Sequence, residues 1–292
     1  MSAVHMFHDA APETTELGMT AALQRHWPEY LMEAGELGLF MISACVVVAL
    51  LEHPASPLNG AIPNPGLRRV LTGIAMGLTA TGIIYSPWGK QSGAHFNPAV
   101  TLTFWRLNKV ATMDAALYVV AQFIGAVAGV LLSAAALGAS IAHPSVNFVA
   151  TLPGSGGTGI AFLAEAAISF GLMTVVLIAS NTPRLARYTG LFCGVLVALY
   201  ISVEAPVSGM SMNPARSFGP ALIGQAWTGL WIYFTAPPLG MLLAAELYTR
   251  FGGWAADECA KLHHQNTKRC IFCGDPQNPR TAMHGPTSKV QR

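Results

Sequence analysis

Charge is what this chain has least of: Asp, Glu, Lys and Arg make up 10% of its 292 residues, where a soluble domain carries roughly a quarter. So few charges cannot clothe a water-facing surface, which argues against a soluble enzyme. The net charge of +2 provides no basis for general nucleic-acid binding. Cysteine is also sparse, and five is an odd number, which fits no disulfide scaffold. The 19 prolines and 29 glycines follow no collagen-like period. What remains is apolar: 52% of the residues are hydrophobic and the mean hydropathy is +0.46. Catalytic signatures are missing too. No HExxH and no nucleophile paired with a base stands out, so the chain reads as a non-enzyme.

Six apolar segments are long enough, or nearly so, to cross a bilayer: Met32 to Glu52, Val70 to Pro87, Ala115 to Gly138, Ile160 to Ser180, Tyr188 to Val203, and Trp227 to Phe251. Asp9, Glu13 and Glu16 stand before the first of them where a signal peptide would have basic residues, so the first span serves as its own targeting signal. The spans divide the chain into an amino-terminal segment (1–31), a membrane domain (32–251) and a polar tail (252–292). With the amino terminus in the cytoplasm, that side collects Arg25, Lys90, Arg106, Lys109, Arg184, Arg187 and every basic residue from Arg250 on. The opposite side keeps only Arg68, Arg69 and Arg216. Basic loops stay inside, so this asymmetry places both termini in the cytoplasm of a multi-pass protein of the cell (plasma or inner) membrane. Gly154, Gly156 and Gly159 form a GxGxxG pattern, but it follows no strand and opens an apolar span, so a dinucleotide site is rejected.

The membrane domain repeats itself. Ser92 to Thr101 reads SGAHFNPAVT and Ser208 to Ser217 reads SGMSMNPARS. Glu33 near the start of the first span is matched by Glu165 near the start of the fourth. Ala121-Gln-Phe-Ile-Gly125 in the third is matched by Ala236-Pro-Pro-Leu-Gly240 in the sixth. The unit is three spans plus one NPA segment, repeated over about 32–138 and 158–251. An odd number of spans per unit inverts the second copy, so the two NPA segments enter from opposite faces.

Asn before Pro is a helix start: Asn caps, and Pro fits the first helical position because its missing amide hydrogen would be an orphan there. Short helices are therefore predicted from Asn97-Pro98-Ala99 and Asn213-Pro214-Ala215, over Pro98 to Arg106 and Pro214 to Leu222. Neither is long enough to span, so each is a re-entrant half-helix. Small Ala99 and Ala215 let the two starts approach near the midplane, where the positive ends of both dipoles converge. That spot repels cations and protons, while the two Asn amides donate to a neutral solute. The fold class is an all-α membrane protein of six spans and two half-helices in an inverted repeat, serving as a passive channel.

These paired motifs, with the glutamates, resemble the major intrinsic protein family, the aquaporins and glycerol facilitators, over about Met32 to Phe251. The resemblance implies a homotetramer with a pore in each subunit, in contact with lipid and with water or small neutral solutes, and needing no cofactor. It implies that Glu33 and Glu165 support the half-helix loops, that His95 is structural within its loop, and that Arg216 is the selectivity arginine. Met76, Ile201 and Met210 match the other positions of the outer constriction. Ser217 after the arginine, Ala221 and the Tyr233-Phe234 pair are similar to the water-conducting subgroup, so water is the expected solute. Glycerol, ammonia and undissociated metalloid acids are the alternatives.

The tail carries a different signal. Cys259, His263, Cys270 and Cys273 have the spacing C-x3-H-x6-C-x2-C, with His264 as a spare. Four such ligands can hold a tetrahedral Zn²⁺, which would make the tail a metal or redox sensor for the channel. The alternatives are a tail with free thiols or a small lid beneath the pore. Residues Gly274 to Arg292 have the composition of a disordered end. Cys45 and Cys193 lie in apolar spans and read as packing residues.

Overall fold

A computed structural model describes residues 17–251 and 259–273. In chain order the helices are α1 (Met19–Glu52), α2 (Pro57–Ala61), α3 (Pro65–Tyr85), α4 (Pro87–Ser92), α5 (Pro98–Arg106), α6 (Thr112–Leu137), α7 (Ala139–Ala142), α8 (Gly157–Ser180), α9 (Thr189–Ser208), α10 (Pro214–Gly224) and α11 (Leu230–Phe251). Six of them, α1, α3, α6, α8, α9 and α11, are long and apolar enough to cross a membrane. Among the described residues there is no strand. The acids Asp9, Glu13 and Glu16 and the end from Gly274 lie outside the described residues.

Each repeat contributes the same crossings. Helix α1 packs along α6 as α8 packs along α11, and α3 meets α9 between the repeats. The half-helices trade partners, α5 lying mainly on α11 of the other repeat and α10 mainly on α6. Glycines permit these approaches. A Cβ at Gly125 would collide with the Ala34 carbonyl, and one at Gly240 with the Ala166 carbonyl, the equivalent contact in the second repeat. Gly77 and Gly194 face one another across α3 and α9 in the same way. Lipid offers no hydrophobic drive between helices, so this backbone proximity and its dispersion contacts hold the bundle together.

The boundaries differ from the sequence reading where polar contacts extend a helix beyond its apolar run. Helix α1 starts at Met19 instead of Met32 and passes through Pro28. Its first turns are tied down from α6, where Asp114 Oδ1 takes His26 Nδ1 at 2.8 Å and the Tyr30 hydroxyl. Helix α9 runs on to Ser208 past Pro206. Proline there removes the donor that Ser202 O would have used, and Arg69 Nε supplies one instead at 3.0 Å. Helix α10 ends at Gly224, two residues beyond the predicted Leu222.

Candidate functional site

Two loops, one before each half-helix, turn back on themselves in the same conformation. Gly93 and Gly209 sit at φ +106 and +83, Ala94 and Met210 at +56 and +51, Phe96 and Met212 at +29 and +54. Non-glycine residues held in this region cost of order 1 kcal/mol each and persist only where their surroundings over-determine them. Here buried carboxylates do so. Glu33 accepts from the backbone N–H of His95 at 2.8 Å and of Phe96 at 2.6 Å. Glu165 accepts from the N–H of Ser211 at 2.6 Å and of Met212 at 2.8 Å. The loop serines are held as well, Ser92 donating to Glu36 at 2.7 Å and Ser208 to Glu165 at 2.6 Å. The Tyr118 hydroxyl donates to Ser92 O, and that of Tyr233 to Ser208 O. The symmetry is not complete: Ser92 bonds Glu36, whose counterpart is Ile168, while Ser208 bonds Glu165 itself, and Gln122 gives Glu33 a further hydrogen bond at 2.7 Å where the second repeat has Pro237.

Both half-helices begin at asparagine. Asn97 Oδ1 caps Ala99 N at 2.9 Å, and Asn213 Oδ1 caps Ala215 N and Arg216 N at 3.1 Å. The loops also interlock: Asn97 Nδ2 donates to Met212 O at 2.7 Å and Asn213 Nδ2 to Phe96 O at 2.8 Å. A side-chain amide has two N–H groups. Cap and cross-loop bond therefore fix each ring-like arrangement and leave one N–H on each Asn for a solute.

Asn97 and Asn213 line a narrow cavity of about 80 Å³. A water takes roughly 10–15 Å³ on this measure, so the space suits a short file of waters or one small organic molecule. Its wall is mostly apolar, from residues such as Ala80, Val100, Leu172 and Val197. Met76, Ile201, Met210 and Arg216 all face this same cavity, and so does His95. Arg216 Nη1 donates to Val149 O at 3.2 Å. That carbonyl belongs to a run, Asn147 to Val149, with φ between +43 and +55 throughout. A β-branched residue there is a genuine outlier, and it presents an acceptor that orients the guanidinium. Ser217 is buried in a chain of hydroxyls with Ser211 and Thr151, each at 2.6 Å. Phe234 does not line the cavity; it stacks on Phe123 and is 40% exposed, and Tyr233 serves the second loop.

At one end the cavity is lined by Leu262 from the tail. Residues 259–273 pack beneath the first loop, on the same face as the start of α1, where Arg269 donates to Arg25 O at 2.7 Å. His95 Nε2 donates to Ala260 O at 2.7 Å and its ring stacks on Phe272 at 5.4 Å. The tail cluster differs from the predicted ligand set in one member. Cys259, His264, Cys270 and Cys273 bring one donor atom each within 4.8 Å of one another. His263 is not among them; its ring packs edge-on against Tyr85 at 5.0 Å. In an irregular loop, neighbouring side chains point in different directions, and here it is His264 that turns toward the thiols. Hydrogen bonding to the Cys270 and Cys273 thiols raises the His264 pKa to about 10.

Glu36, Tyr118 and Val149 escaped the sequence reading, as did the roles of Gln122, quoted only as part of a repeated segment, and of Tyr233, taken as a mark of the water-conducting subgroup. The tyrosines had a signal: each stands three residues before the matched segments that begin at Ala121 and Ala236. Glu36 lies one turn after Glu33, where the motif gave no hint. Val149 had no sequence signal, since only its carbonyl acts.

Comparison with known proteins gives a consistent picture. The family described as "Major intrinsic protein" matches residues 25–248. Aquaporin NIP1-2 of Arabidopsis thaliana is 39% identical over 215 residues, covering 72% of this chain and 69% of that protein. A glycerol uptake facilitator protein-like 6 of Lactiplantibacillus plantarum is 40% identical over 181 residues, 59% of this chain and 81% of that one. Among solved structures, the aquaglyceroporin from Plasmodium falciparum superposes with a TM-score of 0.64 at 18% identity, covering 77% of this chain and 96% of that one. At that identity the likeness speaks to the fold.

Proposed function

The chain belongs to the major intrinsic protein family, whose members are channels and not enzymes, and from that premise we propose that it conducts small neutral solutes down their gradients while excluding ions and protons. The observation that carries this reading is the composition of the constriction: Met76, Ile201 and Met210 with a single charged donor, Arg216, around one narrow cavity. A solute with an apolar face and a hydroxyl edge, such as glycerol or an undissociated metalloid acid, meets methionine and isoleucine on one side and the guanidinium on the other. Flexible methionines can move aside for it. The similarity to a protein named as a glycerol facilitator supports the same solute class.

Farther along, the free N–H groups of Asn97 and Asn213 hold the solute's oxygen. Held by two donors, a water turns its own hydrogens outward in opposite directions, which interrupts a proton wire. The two helix starts and Arg216 add positive potential against cations. The cavity is lined by residues of a single chain, in keeping with a tetramer of four independent pores. The basic-residue asymmetry supports both termini in the cytoplasm of a cell membrane.

Selective water conduction is the second reading, favoured by the small cavity and by Ser217, which stands after the arginine and is absorbed in hydrogen bonds. Stopped-flow light scattering on proteoliposomes separates the two. The proposal expects glycerol uptake several-fold above protein-free vesicles. Fast water flow with glycerol uptake at the protein-free level would overturn it in favour of water.

A further inference from the structure

We propose that Cys259, His264, Cys270 and Cys273 bind one Zn²⁺, and that the metal holds residues 259–273 as a gate at the tail-side mouth of the pore. Geometry supports the metal. A tetrahedral zinc with Zn–S near 2.3 Å and Zn–N near 2.0 Å places its ligand atoms roughly 3.5–3.8 Å apart. Here Cys259 Sγ and Cys270 Sγ stand 3.3 Å apart, Cys273 Sγ and His264 Nε2 3.9 Å apart, and all four atoms lie within 4.8 Å. The cysteines are free thiols. Side-chain shifts of up to about an ångström close the set around an ion, and three thiolates with one imidazole make a closed, structural type of site.

The segment also needs such a clasp. Residues 259–273 contain no helix or strand, and so short a stretch has no core of its own to hold it. What it does have is a buried lysine. Lys261 Nζ donates to Lys90 O at 2.9 Å and to Arg269 O at 2.6 Å, which draws the loop around itself and against α4.

Position gives the metal its effect. Leu262 N donates to Gly93 O at 3.1 Å, in the first re-entrant loop, and the Leu262 side chain lines the conduction cavity. His95 and Phe272 close the same junction by stacking. Ligand binding is coupled to folding in small metal loops, so losing zinc releases the segment and withdraws Leu262 from the mouth. The solute then meets a wider opening.

The gate half of this inference rests on the channel reading above; the metal half does not. The test uses the full chain, purified without a polyhistidine tag and without added metal, and measures zinc per subunit by mass spectrometry. About one zinc in the wild type, lost in both Cys270→Ser and Cys273→Ser, is expected. Cobalt substitution adds a readout independent of folding defects in the variants: a tetrahedral thiolate-cobalt absorption is expected in the wild type. Zinc at background in the wild type, or a Cys259–Cys270 disulfide in its place, overturns the site. Reconstituted into vesicles, the zinc-loaded protein is expected to gain at least twofold in solute flux after a membrane-permeant chelator, and Leu262→Ala to show the higher flux with its zinc retained. Equal flux with and without zinc overturns the gate and leaves the site. Absence of flux in every form, with zinc bound, counts against the channel reading instead.

Discussion

Replacing Asn213 by Asp preserves one duty of this residue and reverses another. Aspartate caps a helix as well as asparagine does, so the bonds to Ala215 N and Arg216 N survive. The donor to Phe96 O is lost. That bond contributes about 0.5–1.5 kcal/mol, and a buried carbonyl left without a partner costs about 1–3 kcal/mol, a loss a well-packed bundle tolerates. The helix start favours the ionised carboxylate. A cation passing at 4 Å would be attracted by at most about 4 kcal/mol at an effective dielectric of 20. A quarter of that, about 1 kcal/mol, lowers the barrier enough for a roughly fivefold rise in cation leak. The assay is sodium and proton influx into vesicles carrying a pH-sensitive dye, beside neutral-solute uptake in the same preparation. Fivefold or greater leak with solute uptake retained is expected, and Asn97→Asp should behave alike because its contacts mirror those of Asn213. Leak at the wild-type level in a protein that still takes up solute would refute the electrostatic argument.

Other substitutions probe other parts of the frame. Arg216→Val removes the one charged donor at the constriction, and uptake of neutral solutes larger than glycerol should rise severalfold in a size series; an unchanged size limit would speak against its role. Tyr118→Phe strips Ser92 O of its partner, and thermal unfolding in detergent should show a loss of about 1–3 kcal/mol, with solute preference unaltered. Gly125→Val drives a branched side chain into the Ala34 backbone, so little folded protein should reach the membrane, as judged by size-exclusion profiles; normal yield would mean the α1 and α6 crossing has slack.

Much of this architecture was readable because the chain writes it twice. Asn-Pro-Ala at matched spacing, with Glu33 and Glu165 each near the start of a span, carries both the half-helices and the anchors of their loops, and the first half-helix runs over Pro98–Arg106 as its cap signals suggest. Hydropathy finds spans but not their ends, since ends are decided by individual polar contacts such as Arg69 on Ser202 O or Asp114 on His26. The tail was legible as chemistry but not as geometry. Without a helical or strand period, the sequence favoured His263 by spacing, while the folded loop turns His264 to the thiols. Backbone contributors such as Val149 O leave no side-chain trace at all.

The central claim is that two opposed helix starts, each led by an asparagine, let uncharged molecules through and hold protons back. Simultaneous recording of glycerol uptake and internal pH in vesicles containing the wild-type chain, under an inward proton gradient, tests it most directly. Solute uptake well above protein-free vesicles with proton entry no faster than theirs is the predicted result. Proton entry that rises in step with the amount of protein, or solute uptake indistinguishable from empty vesicles, would contradict it.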